Sequence, residues 1–182
     1  MADYKARIAP IINEEFTVTS AWWELPREHR GLDISTGKNS NIYSMAKGQV
    51  VRSDYSDSYG NVIIIKDDNT KMGFLYAHLK ELPLVKYGEF VDVGTLVGYE
   101  GTTGDSSGIH LHIEMQDLSL HDWIYRADKS YYSDPAAFMG IPNVEGITAI
   151  YNGTPPPEPI IRKKKKYPFV LYAKKLRKSY FK

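Results

Sequence analysis

The sequence predicts a mainly β protein built on an antiparallel sheet. Short β-prone segments recur along the chain, separated by Gly, Asp and Asn residues, and candidate helices are few. Strands this frequent with so little helix are typical of an antiparallel β-sheet domain. At 182 residues the chain has the length of one domain and can bury a substantial core.

Six segments carry the strand prediction, because they are rich in β-branched and aromatic residues and are bounded by turn residues. They are residues 48–51, 62–65, 74–76, 89–93, 95–99 and 109–115. Turn residues on both sides of the second segment predict a hairpin that leads into the third. A short helix is expected at residues 4–14, and a single helical turn at Pro135–Met139.

The C-terminal part of the chain changes in composition. Four prolines fall within Pro155-Pro156-Pro157-Glu158-Pro159, which favours an extended, stiff spacer. Residues 160–182 hold ten Lys or Arg and no Asp or Glu, whereas the preceding residues hold 13 basic and 22 acidic residues. We therefore expect a folded domain at 1–150, a Pro-rich linker at 151–159 and a basic tail at 160–182.

Three interpretations of the basic tail remain open. It is a solvated end, or it binds an anionic polymer or a membrane surface, or it docks into another protein. Nucleic acid is not expected as a partner, because the body of the chain is acidic.

The composition excludes several classes of site. The chain has no cysteine, so disulfides and thiolate metal sites are ruled out. No apolar run approaches the length of about 18 residues that a membrane helix needs. The first 16 residues include acids and lack the apolar stretch of a secretory signal peptide. We therefore expect a protein made in the cytoplasm.

Four of the five histidines lie in patterns that suit chemistry. His29 and Asp33 are four residues apart, and imidazole and carboxylate are ordinary zinc ligands, although a surface ion pair has the same pattern. His110 and His112 are two apart, so on a strand both rings face one side. A Gly- and Ser-rich loop at 101–108 leads into them, which is typical of an active site. His78 ends an apolar segment; His121 carries no functional prediction.

Several blocks of the sequence together resemble a known family. They are His29-Arg30-Gly31-Leu32-Asp33, Tyr59-Gly60-Asn61-Val62-Ile63-Ile64, Tyr76-Ala77-His78-Leu79, Gly94-Thr95-Leu96-Val97-Gly98 and residues 101–114. Their order and spacing across residues 16–116 resemble the lysostaphin-type zinc endopeptidases, which include the LytM-type autolysins. Two positions depart from the family, because Lys66 stands where a further histidine is common and Ile109 where a proline is usual.

The resemblance implies a role for each site residue. His29, Asp33 and His112 would bind Zn²⁺ with a water in the fourth position, and His78 and His110 would be the catalytic histidines. Glu114, two residues after His112 on the same face, is expected to orient a zinc-binding ring or else to face solvent.

The resemblance implies that the domain at 1–150 is a zinc endopeptidase whose substrate is the peptide cross-link or stem peptide of bacterial peptidoglycan. We expect the protein to reach the cell wall without a signal peptide, and this favours a phage tail or lysis enzyme. The basic tail would then bind anionic wall polymers or another virion protein, if it is not a solvated end or bound to a membrane surface. Trp22, Trp23, Tyr55 and Tyr59 are candidates to line the substrate groove, with ordinary packing as the alternative for each. The alternative function is a non-catalytic wall-binding or structural tail-tip module with the same fold.

Overall fold

The computed structural model describes residues 2–153 except 24, 25, 27, 120, 126 and 127. Most of the predicted linker and all of the predicted basic tail lie outside the described residues, so the domain boundaries stay predictions. No helix in the described part of the chain is long and apolar enough to cross a membrane.

Short strands dominate the described residues, as the sequence predicts. They are β1 (Tyr4–Lys5), β2 (Glu15–Ser20), β3 (Leu32–Ser35), β4 (Asn41–Tyr43), β5 (Gly48–Ser56), β6 (Gly60–Asp67), β7 (Met72–Leu79), β8 (Phe90–Val91), β9 (Leu96–Tyr99), β10 (Leu111–Asp117), β11 (Tyr132–Ser133) and β12 (Thr148–Ile150). The mainly β fold class is confirmed, and all six strand segments predicted from the sequence contain or overlap a strand.

One large sheet organises the fold. Its strand order is β1-β12-β2-β3-β10-β7-β6-β5-β8, with β11 paired to β10, while β4 and β9 form a separate two-stranded sheet. The β1–β12 pair is parallel, and the other pairs are antiparallel. The expected hairpin is confirmed as β6–β7. Strands β3, β10 and β7 are neighbours near the centre of the sheet, and they carry most of the residues singled out above.

The two faces of the central strands have different roles. Leu111, Ile113 and Met115 of β10 pack into the main apolar core. Side chains alternate along a strand, so His112 and Glu114 project from the opposite face. A smaller apolar cluster, formed by Val62, Ile64, Leu75 and Ala77, lies on that second face. The sheet thus has its main core on one side and a buried polar site on the other.

The single α-helix of the described residues is α1 (Pro135–Met139), where the sequence predicts one helical turn. The Asp134 side chain accepts hydrogen bonds from the backbone N–H groups of Ala136 and Ala137, which caps the first turn. Gly140 ends the helix in the left-handed conformation, with φ 75°. A 3-10 turn at Lys129–Tyr131 precedes it.

The prediction of a helix at residues 4–14 is wrong. Tyr4 pairs with Ala149 of β12, and the Ala6 N–H donates to the Ile150 carbonyl at 2.9 Å. Asn13 has φ 60°, which an α-helix does not allow. The backbone of this segment therefore takes its hydrogen bonds from the sheet edge, and tertiary pairing overrides a weak helical pattern.

Tyr76 ties the centre of the sheet to the loop before β5, and its loss should destabilise the fold. It is fully buried, and its hydroxyl accepts a hydrogen bond from the buried N–H of Met45 at 2.8 Å. Tyr76→Phe leaves that donor without its partner, so we expect a loss of about 1–3 kcal/mol in the free energy of unfolding, measured by urea denaturation. The matched control Tyr87→Phe, at a side chain that is 75% exposed, should change it by less than about 0.5 kcal/mol. Equal effects of the two changes would contradict this account.

Candidate metal centre

The sheet register brings three potential ligands together. His112 on β10 lies directly opposite Asp33 on β3, and His29 lies just before β3. His112 Nδ1 is 2.7 Å from Asp33 Oδ1 and 3.2 Å from His29 Nε2. His29 Nε2 is 3.3 Å from Asp33 Oδ1. The lone His–Asp pattern of the sequence therefore belongs to a three-residue cluster, and these three side chains could hold a metal ion.

The donor set fits zinc. Zinc binds imidazole nitrogen and carboxylate oxygen at about 2.0–2.2 Å in tetrahedral geometry, which places neighbouring ligand atoms about 3.3–3.6 Å apart. Two of the three separations here, 3.2 and 3.3 Å, agree closely with that spacing, and the third is 2.7 Å. Two imidazoles, one carboxylate and an open side toward a cleft form the ligand set of a catalytic rather than a structural zinc site.

Neighbouring groups fix which nitrogen of each ligand ring faces the cluster. The Ala21 carbonyl lies 3.0 Å from His29 Nδ1, so this nitrogen carries the proton and Nε2 is left for a metal. Glu114 Oε1 lies 3.0 Å from His112 Nε2, so His112 donates from Nε2 and turns Nδ1 toward Asp33. The two rings would therefore bind through different nitrogens.

Glu114 belongs to a buried chain of hydrogen bonds. It is 1% exposed, and its Oε1 accepts from the Tyr59 hydroxyl at 2.8 Å as well as from His112. Burial, followed by the negative charge of Glu114, raises the pKa of Tyr59, so the tyrosine stays protonated and donates. Of the two alternatives for Glu114, the structure places it against the His112 ring rather than in solvent.

His78 and His110 lie on the other side of the cluster. Their ring centres are 4.7 Å apart, and the His78 ring is 5.7 Å from that of His112. The carbonyl of Thr103 lies 2.8 Å from His78 Nδ1, and the carbonyl of Gly108 lies 2.9 Å from His110 Nδ1. Both rings therefore donate from Nδ1, which leaves each Nε2 with a lone pair. His110 Nε2 is 3.7 Å from Asp33 Oδ2.

The charges of the site are set by burial and by these contacts. Burial alone would raise the pKa of Asp33, but its contacts with His112 and His29 hold it well below its usual range. Burial alone would lower the pKa of His112, but its bonds to Asp33 and Glu114 raise it to about 9. Burial lowers the pKa of His78 to about 4, so this ring is neutral at pH 7 and can accept a proton.

A cleft of about 770 Å³ opens onto this cluster. Its lining includes all five residues predicted as ligands or catalytic histidines, together with Glu114 and Tyr59. A volume of this size, open to solvent on one side, can accommodate several residues of a peptide.

Three of the four candidate groove residues, Trp22, Trp23 and Tyr55, are not among the residues that line the cleft. Trp22 packs against the main core, and both of its backbone polar groups bond to the Asn143 side chain, at 2.7 and 2.8 Å. The Trp23 ring contacts Trp22 and Tyr132. Tyr55 is 54% exposed on β5.

The cleft also has lining residues that no local pattern of the sequence indicates. Arg52 Nε donates to Asp54 Oδ1 at 2.8 Å, and its guanidinium lies 5.4 Å from the centre of the Tyr125 ring. Gln116 holds the segment before Tyr125 in place through two hydrogen bonds with the backbone of Ile124, at 2.8 and 3.0 Å. Arg52 and Tyr125 are 73 residues apart in sequence, and only the fold brings them together.

Comparison with known proteins identifies a matching family. The family model described as Peptidase family M23 matches residues 27–123, which include all the ligand and histidine positions above. Peptidoglycan DD-endopeptidase ShyC of Vibrio cholerae is 36% identical over 95 residues, covering 52% of this chain and 22% of that protein. The match thus spans about a fifth of that relative's length.

Solved structures agree with the fold. The antimicrobial peptidase lysostaphin from Staphylococcus simulans aligns with a TM-score of 0.59 at 25% identity, covering 69% of this chain and 49% of that one. A zinc-containing peptidase from Vibrio cholerae aligns with a TM-score of 0.55 at 25% identity, covering 69% of this chain and 37% of that one. The expected lysostaphin-type fold is therefore confirmed.

Two substitutions separate the ligands from the neighbouring histidines. Asp33→Ala removes a ligand. Losing a residue that only orients a ligand costs about 10–100-fold in metal affinity, so we expect Asp33→Ala to lower zinc affinity more than 100-fold. His110→Ala should keep zinc affinity within about threefold of the wild type, since its Nδ1 bonds to the Gly108 carbonyl and its Nε2 lies outside the three-atom cluster. Chelator-competition titration measures both. The reverse order of affinities would refute this division of roles.

Zinc affinity should also depend on pH through His112. Because the pKa of His112 is about 9 without metal, zinc that binds at pH 7 has to displace a proton from this ring. The apparent association constant should rise about tenfold per pH unit from this ring alone, and more slowly above pH 9. In Glu114→Gln, which loses one cause of the raised pKa, the slope should flatten at a lower pH. Identical pH profiles for the two proteins would count against the role of Glu114.

Proposed function

We propose that this chain, which belongs to peptidase family M23, is a zinc-dependent endopeptidase acting on the peptide part of bacterial peptidoglycan. One observation carries the proposal. Three donor atoms of His29, Asp33 and His112 lie within 2.7–3.3 Å of one another, and two further histidines face the same cleft. A structural zinc site has no need of the second pair of rings, whereas a hydrolytic site does.

The protein's own residues would divide the work of hydrolysis. His29, Asp33 and His112 would hold Zn²⁺, which when bound supplies Lewis acidity and lowers the pKa of nearby water. The neutral His78 ring has a lone pair on Nε2 that can accept a proton from the attacking water. His110 presents its own Nε2 close to the same point, so the pair can take up a proton and return one to the leaving amine.

The two carboxylates have supporting roles. The pKa of Asp33 lies well below its usual range, so this carboxylate remains charged while the histidines exchange protons. Glu114 is buried and accepts two hydrogen bonds, one of them from His112, so it orients the ligand ring from behind. We therefore assign proton transfer to His78 and His110, and charge neutralisation to Asp33 and Glu114.

The proposed substrate follows from the relatives. The name of ShyC assigns it to peptidoglycan DD-endopeptidases, and lysostaphin is named as an antimicrobial peptidase. An open cleft about 770 Å³ in volume is compatible with a peptide cross-link or a stem peptide. The phage origin, the route to the cell wall and the partners of the basic tail stay predictions from the sequence.

Release of new amino groups from purified peptidoglycan tests the proposal. The zinc-loaded protein should release them, a chelator should stop the reaction, and added zinc should restore it. His110→Ala should bind zinc normally and reduce the rate by about 10²–10⁴-fold, which is the usual contribution of a proton-transferring side chain. Mass spectrometry of the products then identifies the bond that is cut.

Binding to peptidoglycan without hydrolysis would contradict the proposal. If zinc-loaded protein binds walls of several cross-link chemistries but releases no amine from any of them, the proposed activity is wrong. The fold would then serve as a non-catalytic wall-binding module.

A further inference from the structure

His78 has an unusual backbone conformation. Its φ is 59°, in the left-handed region that residues other than glycine rarely adopt. Such a conformation costs free energy and persists only where the surroundings enforce it. A different φ at this residue would turn the imidazole away from His110 and His112, whose rings lie 4.7 and 5.7 Å from it. The groups that hold this backbone therefore control the position of the ring.

Two polar side chains, Asn61 and Thr103, converge on the residue next to His78. Asn61 Nδ2 and the Thr103 hydroxyl both donate to the carbonyl of Leu79, at 3.0 and 2.7 Å. The Thr103 hydroxyl also accepts from the Asn61 N–H at 3.0 Å. Asn61 is 8% exposed, so these bonds are shielded from water. The three residues form a closed polar unit at the end of β7.

His78 itself is held from two sides. The His78 N–H donates to the Tyr59 carbonyl at 2.8 Å, next to the turn that begins β6. His78 Nδ1 lies 2.8 Å from the carbonyl of Thr103. The backbone of His78 is thus held from the β6 side, and its ring is held from the 101–108 loop.

Two glycines allow these segments to approach so closely. A Cβ on Gly60 would lie 2.3 Å from the Thr103 hydroxyl oxygen, and a Cβ on Gly104 would lie 2.2 Å from the Gly60 nitrogen. Both glycines have positive φ, 63° and 76°. The blocks around residues 59–61 and 102–104 are therefore packed backbone to backbone, and a side chain at either glycine would clash with the other block.

We infer that Thr103 and Asn61 are positioning residues that hold His78 in its left-handed conformation and in the tautomer protonated on Nδ1. Neither side chain lines the cleft, so they act through His78 and not on the substrate. The inference rests on the proposed function only where it concerns turnover. Its claim about the conformation and tautomer of His78 stands independently.

A pair of substitutions at Thr103 tests the turnover claim. Thr103→Val keeps the shape of the side chain but removes the hydroxyl. Misplacing a catalytic group by about 1 Å can lower the rate 100-fold, so we expect kcat to fall about 10–100-fold. KM and zinc content should stay within twofold of the wild type. Thr103→Ser retains the hydroxyl and should restore most of the turnover. As a matched control, Thr95→Val removes a half-buried hydroxyl at a turn outside the cleft and should leave kcat unchanged.

A spectroscopic measurement tests the conformational claim without substrate. Long-range ¹H–¹⁵N spectra of the zinc-loaded wild type should show His78 as a single tautomer protonated on Nδ1. Thr103→Val and Asn61→Ala should each give a mixture of tautomers, and Asn61→Ala serves if the valine variant does not fold.

The outcomes separate the two proposals. Wild-type kcat together with an unchanged His78 tautomer in Thr103→Val would overturn the positioning role, and so would loss of zinc from that variant. If the wild type shows no peptidase activity on any wall, the proposed function fails. The tautomer spectra then still decide whether Thr103 and Asn61 position His78.

Discussion

The site depends first on one cross-strand pair, Asp33 on β3 and His112 on β10, whose side chains meet at 2.7 Å. A buried carboxylate is costly unless a positive group compensates it. In the metal-free protein that group is a proton on His112, whose pKa is raised to about 9, and in the loaded protein it would be zinc. The register that forms this pair is strongly specified, because a slip of one residue would turn Leu111 and Ile113 out of the core and His112 into it.

The other residues of the site are arranged around this pair in two groups. One group fixes the ligand rings from behind, through the Ala21 carbonyl for His29 and the Glu114–Tyr59 chain for His112. The second group presents His78 and His110 from loops whose backbone carbonyls fix both tautomers. The sheet therefore supplies charge and rigidity, and the loops at its edge supply the groups that exchange protons.

The sequence predicts the parts of this arrangement that are encoded locally. Alternation in strands places His112 and Glu114 on one face, and the helical turn expected at Pro135–Met139 is present as α1. Long-range contacts are not encoded in this way: the helix expected at residues 4–14 gives way to pairing with β12, and Trp22 packs on the core. The Tyr59–Glu114 bond joins positions 55 residues apart, so no local pattern could predict it. The resemblance to lysostaphin-type enzymes predicts which residues form the site. The fold determines which contacts hold them in place.

The most direct test of this account is a crystal structure of the zinc-loaded protein, with the metal located by its anomalous scattering. The account predicts one tetrahedral zinc bound by His29 through Nε2, His112 through Nδ1 and one oxygen of Asp33, at about 2.0–2.2 Å. His78 and His110 should face the open coordination position without binding the metal. Zinc bound by His78 or His110 would contradict the division between ligands and proton-transferring histidines. Zinc bound by His112 through Nε2 would contradict the hydrogen bond assigned between this nitrogen and Glu114.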